Sequence, residues 1–110
     1  MNLRTTIDPT YCSDDYLDVD IFVQDLDKRD EYRSRVWFGL HGCEGGHVVL
    51  PNDDDFEYSP DSVSGYEPIE RIPDEVRAAF VAAYPKAIQE IENMLAQRNL
   101  QPIKPLLPTP

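Results

Sequence analysis

Two stretches of alternating polarity, separated by a short polar break, constrain this chain more than any other feature. In Tyr16–Leu26, Leu17, Val19, Ile21 and Val23 alternate with Asp18, Asp20, Phe22 and Gln24. In Glu31–Leu40, Tyr32, Ser34, Val36, Phe38 and Leu40 alternate with Arg33, Arg35 and Trp37. A period of two marks a strand with one face buried. Joined across Asp27-Lys28-Arg29-Asp30, the two stretches predict an antiparallel hairpin. Closing it around Lys28 and Arg29 sets Leu17 opposite Leu40, Val19 opposite Phe38 and Ile21 opposite Val36, all on one face. The other face then pairs Asp20 with Trp37, Phe22 with Arg35 and Gln24 with Arg33. A slip of one residue mixes the two faces, so the pattern itself argues for this register. Lys-Arg suits a two-residue primed turn poorly, and a looser four-residue loop is expected.

Beyond the hairpin, the glycines between Gly42 and Gly46 mark a turn. His47–Leu50 reads as a short third strand ended by Pro51. Residues 52–68 are acidic and aperiodic and carry Phe56, Tyr58, Val63 and Tyr66, which predicts an ordered loop pinned by aromatics. A loop of that length with no structure of its own leans toward function. Pro73-Asp74-Glu75 opens a helix with acids in its first turn. Val76, Phe80, Tyr84, Ile88, Ile91 and Leu95 follow at steps of three and four. The stripe stays in phase across Pro85, so one kinked helix is expected from Asp74 to about Arg98, with Asn99 as its cap. Pro102, Pro105, Pro108 and Pro110 make the tail extended.

These elements predict an α+β domain over residues 1–101, with a Pro-rich tail over 102–110. The sheet is three-stranded and antiparallel, or four-stranded if residues near the N-terminus join. It packs its Leu17/Val19/Ile21/Val23 face on the C-terminal helix. A chain of 110 residues is one domain, and its 28 Leu, Ile, Val and Phe residues suffice for one core.

Charge narrows the function. The chain holds 21 acids against 10 bases, a net charge of −11. That sign excludes nucleic-acid binding by phosphate attraction and disfavours an anionic membrane surface. The acids are also segregated. Residues 5–27 and 36–70 together carry 15 of the 21 and no Lys or Arg at all. No apolar stretch follows Met1-Asn2-Leu3-Arg4, so a cytoplasmic setting is expected, with Cys12 and Cys43 as free thiols.

Four groups of residues could carry chemistry. His41, Cys43 and His47, with Cys12 as a fourth ligand, have zinc-ligating atoms on a glycine-rich turn, but only one half of a paired ligand set is present. The same Cys and His could make a thiol nucleophile and base, without any accompanying nucleophile elbow or phosphate loop. Asp53, Asp54, Asp55 and Glu57 offer hard oxygens, yet the glycine and final glutamate of a calcium loop are missing. Metal and cofactor are therefore not assigned. The fourth group is an acidic recognition face. Asp18 and Asp20 lie about 7 Å apart along one strand face, near the spacing of phosphates in a nucleic-acid strand.

The reading adopted is a non-enzymatic acidic binder that inhibits or masks a basic, nucleic-acid-handling protein. Phage anti-defence inhibitors, DNA mimics and immunity proteins form the same general class. Asp18, Asp20, Asp53, Asp54, Asp55 and Glu57 would supply the charge, and Trp37 and Tyr58 the apolar anchors. The alternatives are a small zinc- or thiol-dependent enzyme around His41, Cys43 and His47, and a self-associating structural or adaptor subunit.

Overall fold

The computed structural model describes residues 2–12, 16–39, 48–52, 55–60 and 65–97, apart from the side chains of 10–12. Among these residues the fold is α+β: one helix packed on one antiparallel sheet. In chain order the strands are β1 (Leu3–Cys12), β2 (Tyr16–Asp25), β3 (Glu31–Gly39), β4 (Val48–Val49), β5 (Glu57–Ser59) and β6 (Glu67–Pro68), followed by helix α1 (Asp74–Gln97). The sheet order is β1-β2-β3-β5-β6, with β4 also paired to β3. The described sheet thus has six strands, not three or four. The N-terminal residues do join, as β1. The stretch expected to be a loop contributes two strands, which at three and two residues are too short to show a period.

The hairpin forms with its faces as expected but in a different register. Leu17 pairs with Phe38, Val19 with Val36, Asp20 with Arg35 and Phe22 with Arg33. Relative to the expected pairing, β3 has moved two residues along β2. The cause lies in the turn. The Asp25 carboxylate accepts the N–H groups of Asp27 (3.0 Å) and Lys28 (3.2 Å). The Asp25 N–H donates to the Asp30 carbonyl (2.8 Å), and Arg29 N–H donates to the Asp25 carbonyl (2.7 Å). Arg29 takes a left-handed φ of 66° to close the loop. The loop is therefore the four residues Leu26–Arg29, centred between Asp27 and Lys28. A shift of two keeps every side chain on its own face, so the burial pattern survives it.

On the inward face Leu17, Val19, Ile21 and Val23 are fully buried. They meet Val76, Phe80, Ala83, Ala87, Ile88, Ile91 and Leu95 of α1. Tyr84 of the expected stripe is only partly buried, and Ala83 and Ala87 bring the helix close to the sheet instead. α1 continues through Pro85. The lost bond belongs to the carbonyl of Val81, an exposed residue, where water can take the donor's place. Phe56 enters the core at 2% exposure and lies 4.9 Å from Phe80, centroid to centroid. The loop aromatics do pin that segment, with Tyr58 packed on Tyr32 at 5.2 Å. Among the described residues, the Ser34 hydroxyl is buried in this layer without a hydrogen-bond partner.

On β1, Pro9 and Thr10 lie between Asp8, paired with Asp20, and Tyr11, paired with Asp18. Two residues facing one make a bulge, a position that accepts proline. Among the described residues, no helix is long and apolar enough to cross a membrane. The tail and the Gly42–Gly46 turn lie outside the described residues, as does Asn99.

Phe80 joins the helix to both the sheet and the Phe56 segment. Phe80→Ala should lower unfolding stability by about 3–5 kcal/mol, the usual cost of truncating a fully buried aromatic ring. Urea denaturation measures it, and a loss below about 1 kcal/mol would show that Phe80 is not central to the core.

Candidate binding cleft on the outer sheet face

The residues that alternate with the core positions all project from the side of the sheet facing away from α1. There, the β2–β3 register creates a ladder of polar and aromatic pairs: Asp18 with Trp37, Asp20 with Arg35, Phe22 with Arg33 and Gln24 with Glu31. β3 pairs with β4 through Trp37 and Phe38, and with β5 through Glu31, Tyr32 and Arg33. Among the described residues, Ser34–Val36 therefore has no strand partner on that side. A cleft of about 520 Å³ sits at this step. Asp18, Asp20, Arg33, Arg35, Trp37, Leu50, Pro51, Asp55 and Glu57 are among the residues that line it.

Two of the four lining carboxylates are neutralised from within. Arg35 Nε donates to Asp20 Oδ1 at 2.9 Å. That hydrogen bond is the main reason the Arg35 guanidinium holds its proton more firmly than usual, with the nearby charges of Asp20, Asp18 and Glu57 adding to it against a cost of burial. Arg33 donates to Glu57 Oε1 from Nε (3.1 Å) and Nη2 (2.7 Å). The Arg33 guanidinium also lies 3.9 Å above the centre of the Tyr66 ring. The Tyr66 hydroxyl donates to Glu31, which also accepts Gln24 Nε2 at 3.0 Å. Burial, and then this bond to Glu31, push the Tyr66 phenol well above its ordinary pKa. Asp55 Oδ2 accepts the backbone N–H of Asn52 at 2.7 Å.

Asp18 differs from its neighbours. It is only 7% exposed. No described residue gives it a hydrogen bond or an ion pair. Burial raises its pKa, the Arg35 charge lowers it in part, and the Asp20 charge raises it further. Trp37 stands across the strand pair from it, with Tyr16 edge-on to Trp37 at 5.4 Å.

Of the residues expected to bind a partner, Asp18, Asp20, Asp55, Glu57 and Trp37 therefore share one cleft, although they come from separate parts of the chain. Asp18 and Asp20 do not form a bare exposed row, since both are buried and Asp20 is tied to Arg35. Tyr58 is not in the cleft; it packs with Tyr32 at the edge of the core. Asp53 and Asp54 lie outside the described residues, as do His41, Cys43 and His47. Cys12 is paired with Leu17 on β1, its side chain outside the description. Among the described residues, no group of three or more His, Cys, Asp or Glu side chains is placed to hold a metal ion. Tyr16, Arg33, Ser34, Arg35, Leu50 and Pro51 also line the cleft. The alternation on β2 and β3 signals Tyr16, Arg33 and Arg35, while nothing in the sequence signals the stacking of Tyr66 on Arg33. Comparison of the chain with protein-family models, curated proteins and solved structures gave no significant match in any of the three.

The raised pKa of Asp18 predicts a pH effect on stability. Between the ordinary carboxylate pKa of about 3.9 and the raised native one, the folded protein binds more protons than the unfolded chain. Asp18 therefore costs stability as pH rises through that window, and the cost persists at neutral pH. Asp18→Asn should be more stable than the wild type at pH 7, with the gain shrinking toward pH 4 and lost below it. Urea unfolding at pH 7 and about pH 3.5 measures the difference, and an Asn variant less stable at pH 7 would contradict this account.

Proposed function

We propose that this is a cytoplasmic, non-enzymatic binding protein that docks onto a basic, nucleic-acid-handling partner and masks it. The observation that carries the reading is the convergence of acids from two separate acidic segments, Asp18 and Asp20 with Asp55 and Glu57, beside Trp37 in one cleft. The lining holds four carboxylates against two guanidiniums, within a chain of net charge −11. Excess negative charge steers a basic partner and sets orientation. A partly buried Trp supplies the desolvated anchor that carboxylates lack. Because Arg35 and Arg33 neutralise Asp20 and Glu57, the face suits insertion of basic side chains better than imitation of an unbroken phosphate row.

The test is affinity capture from a nuclease-treated lysate of the cells that make the protein, eluted across about 0.05–0.5 M salt, a range that strongly screens exposed charge. The expected result is enrichment of basic proteins, released as salt rises and competed by DNA. Substituting Asp18, Asp55 and Trp37 together should abolish their capture. Retention of the same proteins at high salt, or unchanged capture by the triple variant, would overturn the proposal.

A further inference from the structure

We propose that the cleft beside Asp18 receives one guanidinium group, the arginine side chain of a basic partner protein. This rests on the docking reading above and assigns its point of contact. The first support is the charge pairing within the cleft. Arg35 is bonded to Asp20 and Arg33 to Glu57, so both lining guanidiniums already have a carboxylate. Asp18 is left 7% exposed, without a hydrogen bond or ion pair among the described residues. Most of the Asp18 side chain is out of solvent, yet its oxygens are not enclosed, so a cationic donor entering the cleft can reach them and add to the distant Arg35 charge. A guanidinium supplies two parallel N–H groups in the geometry a carboxylate accepts.

The second support is the wall. Trp37 faces Asp18 across the strand pair, and its ring is held edge-on by Tyr16. An aromatic face beside a carboxylate selects a flat, weakly hydrated cation over a compact ammonium. Leu50 and Pro51 can cover the methylene stem of the same side chain. At about 520 Å³ the cleft has room for it.

The third support is that this face already binds a guanidinium of its own in this manner. Arg33 is bonded to Glu57 and stacked on Tyr66. Asp18 with Trp37 offers the same two elements, a carboxylate and an aromatic ring, with no guanidinium bonded to Asp18 among the described residues. A partner's arginine fits better than a free small molecule, because the surrounding acidic chain extends the attraction over a protein-sized contact.

Trp37 is the only tryptophan in the chain, so its fluorescence reports on the cleft. The intact protein is titrated, at fixed ionic strength, with Nα-acetyl-arginine amide, the lysine equivalent, agmatine, and the uncharged isostere Nα-acetyl-citrulline amide. Arginine amide should give a saturable change in the millimolar range expected of so small a ligand, and citrulline amide none. Asp18→Asn should weaken arginine amide by about tenfold or more. Glu92→Gln, the same charge change on the helix side, should leave it unaltered. Thermal melts of both variants verify folding. An equal response to citrulline, tighter binding of the lysine amide, or unchanged binding in Asp18→Asn would overturn the assignment. Agmatine binding at least about tenfold tighter than arginine amide would overturn the protein source in favour of a free small molecule. If arginine amide is silent while basic proteins are still captured in a salt-labile way, this assignment fails and the docking reading stands. If arginine amide binds but no basic protein is captured, the docking reading fails.

Discussion

The contact between the inward face of β2 and the apolar stripe of α1 determines everything else in the molecule. Leu17, Val19, Ile21 and Val23 have no exposure, and neither do Val76, Phe80 and Ile91 opposite them. One helix covers one face of a sheet. The other face must therefore be built from residues that tolerate water, and the strict alternation of β2 and β3 places Asp18, Asp20, Arg33, Arg35 and Trp37 there. The cleft is thus a consequence of packing on the opposite side. The hydrophobic layer fixes the strands, and the strands fix which charges meet.

Much of this was legible in the chain itself. The period of two in β2 and β3 and the stripe of α1 are long enough for the pattern to decide structure type and buried face. The register was not legible, because it depends on one side chain. Asp25 looks like any other acid of its segment, yet its carboxylate caps the turn and moves the centre of the hairpin by one residue. That displaces every cross-strand pair by two. In the expected pairing Asp20 faced Trp37 and Phe22 faced Arg35; in the folded protein Asp20 faces Arg35 and Trp37 faces Asp18. The ion pair at Asp20, and an Asp18 carboxylate with no bonded partner among the described residues, were both hidden by this displacement. Asp18 and Asp20 lie on the face that the alternation predicts, but the local charge balance could not be read without the turn.

The segment after β4 shows the opposite difficulty. Phe56, Tyr58 and Tyr66 stood out as aromatics in an acidic stretch, but their three destinations differ. Phe56 completes the core against Phe80, Tyr58 packs on Tyr32, and Tyr66 lies under Arg33 on the outer face. Strands of two or three residues carry no periodic signal, so nothing local distinguishes an inward ring from an outward one. Long-range contacts with β3 and α1 decide it.

The bulge at Pro9 and Thr10 bears on how the molecule behaves among its own copies. β1 is the terminal strand of the described sheet, and its outer margin would otherwise be a continuous template for another chain. Pro9 brings no N–H to that margin, and the bulge breaks the even spacing of the rest. A second strand could therefore continue in step only along Leu3–Asp8. The feature that accommodates a proline at the rim thus guards a long strand against edge-to-edge aggregation.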